Sequence, residues 1–159
     1  MQKTNATLIF FAVAALILAS ACGGGGGGGG NAAPHTRAVV KLATSGTSAN
    51  IGIVQVRLNL PSGVTVKATN GETESGVVTG IGTTAGADTE YGVYSAPSVT
   101  VVIAKAVGFS AGEFATVNCD IAVGSDPKTA DFTASNLDVR DLDGKPINGM
   151  TATLTVTFN

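Results

Sequence analysis

The chain has 159 residues, with nine Lys and Arg against eleven Asp and Glu, a single histidine, two cysteines and no tryptophan. This slightly acidic balance argues against nucleic acid as a partner, because phosphate recognition needs a basic stripe. One histidine rules out a histidine-rich zinc centre.

The N-terminus reads as an export signal. Met1 to Thr7 is short and polar, with Lys3 as its basic residue; Leu8 to Leu18 (LIFFAVAALIL) has no polar side chain; Ala19-Ser20-Ala21 is small, and Cys22 follows. A positive start, a short apolar run and a small-residue cleavage site mark a signal peptide. A membrane-spanning helix needs about 20 apolar residues, and this run breaks off well short of that into glycine.

The small residue before Cys22, at the end of the apolar run, resembles the bacterial lipobox. That resemblance implies cleavage before Cys22, diacylation of its thiol and acylation of the new N-terminus. Several acyl chains together give stable attachment, whereas one holds only marginally. Gly23, rather than Asp, follows the cysteine, which by resemblance to Gram-negative lipoproteins implies the outer membrane.

Gly23 to Gly30 is an unbroken glycine run, continued by NAAPHT to Thr36. Glycine gains nothing from ordering, so residues 22–36 are expected to form a disordered tether with a reach of about 20 Å. A phosphate-binding loop would need a preceding strand, a following helix and a GK[ST] ending, and none is present. The organisation expected is a signal peptide at 1–21, a lipidated Cys22 with its tether at 22–36, and one domain at 37–159 long enough to bury a core. With Cys22 acylated, Cys119 is left without a disulfide partner within the chain.

Within the domain the hydrophobic period is two nearly throughout. From Ile53 the sequence IVQVRLNL points Val54, Val56, Leu58 and Leu60 one way and Gln55, Arg57 and Asn59 the other, the mark of a half-buried antiparallel strand. Pro61-Ser62-Gly63 and Asn70-Gly71 are turns around a strand that begins at Val64. Gly76 to Gly82 is a weaker strand with Val77, Val78 and Ile81; Thr83 to Thr89 is a loop; Tyr91 to Tyr94 is a short strand; and Ser98 to Ala104 follows Pro97. Glu113 to Val123 is expected to turn Val117, Cys119, Ile121 and Val123 inward. Asp131 to Asp141 carries Phe132, Leu137 and Val139, Asp143-Gly144 makes a hairpin-type turn, and Met150 to Phe158 alternates apolar residues with threonine. Eight or nine strands separated by frequent turns predict an all-β, antiparallel, jelly-roll-like β-sandwich.

Three segments resemble the cohesin-like β-sandwiches, which are related to certain carbohydrate-binding modules. They are IGIVQVRLNLPSGVTV from Ile51, GEFATVNCDIAV from Gly112, and FTASNLDVRDLDGKPINGMTATLTVTF from Phe132, the last like that family's closing hairpin. The likeness spans about Val39 to Phe158. It implies the fold and a binding-module class, and carries over no binding residue.

Catalytic chemistry is poorly supported. His35 lies in the expected tether, where chemistry is seldom held in register. Cys119 alternates into the core face and reads as a small hydrophobe. Glu72, Glu74, Glu90 and Glu113 fall in or beside turns, with nothing to set them apart as a glycosidase pair. Asp138, Asp141 and Asp143 cluster near Gly144, but a calcium loop would need an acid where Val139 and Met150 stand, so a solvated turn is expected. Tyr91 and Tyr94 are three apart, so on a strand they face opposite sides and form no flat platform for sugar. No cofactor is implied. The functional expectation is a lipid-anchored cell-envelope module that binds a protein partner. A polysaccharide-binding lipoprotein and a structural envelope protein are the alternatives.

Overall fold

The computed structural model describes residues 34–46 and 50–159, so the signal peptide, Cys22 and the glycine run lie outside the described residues. Among the described residues eleven strands follow one another: β1 (Arg37–Ser45), β2 (Ile51–Asn59), β3 (Val64–Thr65), β4 (Ala68–Thr69), β5 (Glu72–Thr73), β6 (Val78–Gly80), β7 (Thr89–Ser95), β8 (Ser98–Phe109), β9 (Gly112–Ile121), β10 (Thr133–Asp141) and β11 (Thr151–Phe158). The only helical pieces among the described residues are 3-10 turns at Gly82–Thr84 and Thr129–Asp131.

The strands form two antiparallel sheets. One runs β11-β1-β9-β3, with β6 also paired to β9; the other runs β10-β2-β8-β7-β5-β4. Period-two alternation drives one face of each sheet inward, and the two inner faces make the core of a sandwich. Ala38, Val40 and Leu42 of β1 and Val117 and Cys119 of β9 meet Val54, Val56 and Leu58 of β2 and Val99, Val101 and Ile103 of β8, all buried. The aliphatic side chains are mostly β-branched, which suits a pleated, packed surface.

The sandwich expected from sequence is present, with more strands than the eight or nine anticipated. The main addition is β1, which fills the interval before Ile53 and sits centrally between β11 and β9. The short β4 and β5 are joined at Asn70-Gly71, whose φ angles of 53° and 86° are both positive. That is the primed turn whose twist matches a two-residue hairpin, and it requires residues tolerant of φ > 0.

Two expectations are corrected, and a bulge is added to the expected strand. Val123 is 97% exposed rather than inward: β9 ends at Ile121, and a turn closed by the Ser125 N–H on the Ala122 carbonyl (3.0 Å) carries Val123 into solvent. Phe114 and Ala115 are both buried although adjacent, because β9 bulges there: Leu42 pairs with Ala115 and Ala43 with Glu113, leaving Phe114 as the extra residue. The Asp143-Gly144 turn does not join β10 to β11 as a hairpin. It folds the chain back only as far as an Arg140–Pro146 bridge, and the chain then crosses to the other sheet to form β11.

The candidate binding face

The outer face of the six-stranded sheet is built by the same alternation that builds the core. On β2, burial of Val54, Val56 and Leu58 turns Ile53, Gln55 and Arg57 outward; on β8, burial of Val101 and Ile103 turns Thr100, Val102 and Ala104 outward. Register then sets the rows. Ile53, Ala104 and Thr89 stand side by side; Gln55, Val102 and Tyr91 make the next row; Arg57, Thr100 and Val93 the next. Ile53 and Tyr91 are each 38% exposed and Val93 is 47% exposed, so a continuous apolar strip crosses β2, β8 and β7.

Polar groups border the strip. Gln55 faces Asp138 and Ile53 faces Arg140 on β10, where Arg140 Nε donates to Asp138 Oδ2 at 2.9 Å. Glu72 of β5 lies opposite Val93. An apolar centre inside a polar rim is the composition of protein-binding surfaces. At the Ile53 end the strip opens into a shallow groove of about 580 Å³ between Leu142 and Ala104–Ala106. Its rim carboxylates are occupied within the chain: Asp88 Oδ2 accepts the Ala106 N–H at 2.6 Å, and Asp141 Oδ1 accepts the N–H groups of Asp143 and Lys145 at 2.9 and 2.8 Å.

The other residues singled out from sequence are placed as follows. Tyr94 turns back and packs partly buried against the core while Tyr91 faces out, as their spacing predicts. Glu72, Glu90 and Glu113 lie at the first or second residue of β5, β7 and β9, beside turns as expected. Glu90 Oε2 accepts the Gly80 N–H at 2.6 Å, Glu74 accepts from the Thr69 hydroxyl at 3.5 Å, and Glu113 pairs with Lys41 at 3.6 Å. Glu72, Glu74 and Glu90 line one shallow cleft of about 250 Å³ together with Tyr91, with Glu90 and Glu74 each engaged by a neighbouring donor, while Glu113 does not line it. Asp138, Asp141 and Asp143 bind Arg140, the turn backbone and Lys145 respectively, and among the described residues no three acidic, histidine or cysteine side chains converge on one point.

Cys119 is buried, and burial, with a smaller contribution from the Asp120 charge, pushes its thiol up to about 12, so at neutral pH it carries no thiolate. His35 is not free in a tether: its ring lies 5.4 Å from that of Phe158. Nearby, the hydrogen bond and charge of Lys128 hold the exposed Asp126 carboxyl below its ordinary range, with a lesser contribution from His35.

No protein-family model and no curated protein sequence matches the chain. Its structure is similar to that of a non-cellulosomal cohesin from the hyperthermophilic archaeon Archaeoglobus fulgidus, with a TM-score of 0.52 and 15% identity over 72% of this chain and 75% of that one. The fold is therefore that of a cohesin-like β-sandwich, in line with the resemblance seen in the sequence.

Proposed function

We propose that this chain is a lipid-anchored binding module of the cell envelope, without catalytic activity, that engages another protein through the outer face of its six-stranded sheet. The observation that carries the reading is the exposed strip of Ile53, Val102, Tyr91 and Val93 inside its polar border. Its cohesin-like architecture supports the binding-module class. Cys22 at the end of an apolar leader supports the anchor, and Gly23 supports the outer membrane. Polysaccharide binding is the weaker reading, because sugars stack on coplanar aromatics and Tyr94 faces the core.

Three measurements test it. Envelope extract passed over the immobilised chain is expected to yield one stoichiometric protein, retained by wild type and lost with Val93→Asp, while a glycan array stays blank. Glycan binding that vanishes with Tyr91→Ala would replace this reading with the sugar-binding one. For the anchor, fatty-acid labelling in the producing cell is expected to mark wild type and not Cys22→Ser, which should leave the membrane fraction.

A further inference from the structure

The edges of the two sheets are unequally protected. An edge strand presents unpaired N–H and C=O groups to any passing strand, and proteins blunt such edges with charges, bulges or brevity. Here β3 and β4 have two residues each and β6 has three. The edge strand β10 is bulged twice, between Ser135 and Asp138 and between Arg140 and Asp141, and carries Asp138, Arg140 and Asp141. Among the described residues the remaining edge, β11, has none of these devices. It is eight residues long, TATLTVTF, without a charge or a proline, and its register with β1 is unbroken from Phe158 to Thr151.

Among the described residues the ladder shows which groups are free. Asn159 and Arg37 exchange both backbone hydrogen bonds, at 3.0 and 3.2 Å. Antiparallel pairs alternate, so the threonines of β11 bond to β1, while the N–H and C=O groups of Ala152, Leu154, Val156 and Phe158 point to the open edge. The side chains of these four are also only partly buried, whereas Ala38, Val40 and Leu42 on the adjacent β1 are fully buried. Ala134 and Leu137 of β10 and Ile147 and Met150 of the crossing loop are likewise partly buried. Free backbone and incompletely covered apolar side chains thus coincide on this side of the sandwich.

We propose that β11 pairs antiparallel with β11 of a second copy of this chain, across a two-fold axis at Thr155. Ala152 then stands opposite Phe158 and Leu154 opposite Val156, and all four free residues find partners on both copies. Apolar side chains meet on the inner face and threonines on the outer, Thr155 against Thr155 and Thr153 against Thr157. A second copy fits because the strand is neutral and reads alike when reversed, so self-pairing brings no like charges together. The strands β1, β2 and β10 all carry charges that would not match themselves in this way. The outer face of the six-stranded sheet stays uncovered in such a dimer.

The test is made on the full chain. Across the axis the threonines form non-hydrogen-bonded pairs with Cα atoms about 4.5 Å apart, within disulfide range. Mild oxidation in the cell envelope is expected to link Thr155→Cys into a dimer, but neither wild type nor Thr151→Cys, whose opposite position is Asn159. Thr155→Lys sets two ammonium groups across the axis from an outward position, so it should sediment as a monomer that still melts cooperatively, with a midpoint lowered by the lost dimer and by Lys41 opposite it on β1, where wild type sediments as a dimer. A monomeric wild type, a dimer that survives Thr155→Lys, Thr155→Cys oxidising no faster than Thr151→Cys, or a Thr155→Cys disulfide whose other half is a different protein would each overturn the proposal.

Discussion

The buried hydroxyl of Thr84 donates to the main-chain carbonyl of Phe114, the residue that β9 inserts as a bulge. The same carbonyl accepts the Ile81 N–H at 3.1 Å. The loop after β6 is therefore fastened to an irregular point of the sheet, where the ladder cannot satisfy the backbone by itself. Close packing leaves no slack: a side chain at Gly80 would come within 2.8 Å of the Thr84 carbonyl oxygen. Thr84→Val keeps the shape and removes the donor, and is expected to cost about 1–2 kcal/mol, at the lower end for a buried partner because the Ile81 bond remains. Chemical denaturation should show the drop as a lower midpoint with an unchanged slope.

A second fastening lies at the entry to the domain. Thr36 N–H donates to the Asn159 carbonyl at 2.9 Å, and the His35 ring packs on Phe158, which in turn lies 6.2 Å from Phe132. His35→Ala is expected to lower stability by about 0.5–1 kcal/mol, the scale of an aromatic pair. His35→Phe should restore most of it, and equal stability of all three chains would return His35 to the tether.

How far the sequence reveals this molecule differs from strand to strand. The clean alternation of β2 gives every facing correctly, because a strand buried on one side and wet on the other leaves a period-two signal. In β1 the alternation of Ala38, Val40, Leu42 and Thr44 against Val39, Lys41, Ala43 and Ser45 is present in the sequence as well. It is blurred there by alanine and threonine, which serve either face, and by Val39 on the outer side. The bulge at Phe114 leaves no local mark, since it depends on the register with β1, a strand distant in sequence. Val123 continues the β9 pattern by one step too many; Gly124, with φ of 84°, is the signal that the strand has ended. The candidate face was less legible still. Ile53, Val102, Tyr91 and Val93 come from three strands, and only the register of β2 and β7 on β8 makes them neighbours.

Cys119 gives a pH signature. Its folded thiol titrates near 12 and an unperturbed cysteine near 9.0, so the folded state holds this proton more tightly than the unfolded chain. The stabilisation is complete below pH 9.0 and is lost as pH rises from there toward about 12, by up to about 1.4 kcal/mol per unit. Cys119→Val removes the titrating group while filling the site. The stability difference between wild type and variant should be flat below pH 9 and turn against wild type above it. Native protein should also react only slowly with thiol reagents at pH 8, and rapid labelling would place the thiol outside the core.

The turn after β10 depends on Asp141 as a hydrogen-bond acceptor. Its Oδ1 takes the N–H groups of Asp143 and Lys145, and the Gly144 N–H closes on its main-chain carbonyl at 3.1 Å. Gly144 has φ of 77°, which a side chain would resist. Asp141→Asn keeps an acceptor oxygen and should be nearly neutral, whereas Asp141→Ala leaves two N–H groups to water and is expected to cost about 1 kcal/mol. With Asp138 turned to Arg140 and Asp143 to Lys145, millimolar calcium should leave the thermal midpoint of all three chains unchanged. An upward shift with calcium that is reversed by chelator and absent from Asp141→Ala would make this turn a cation site after all.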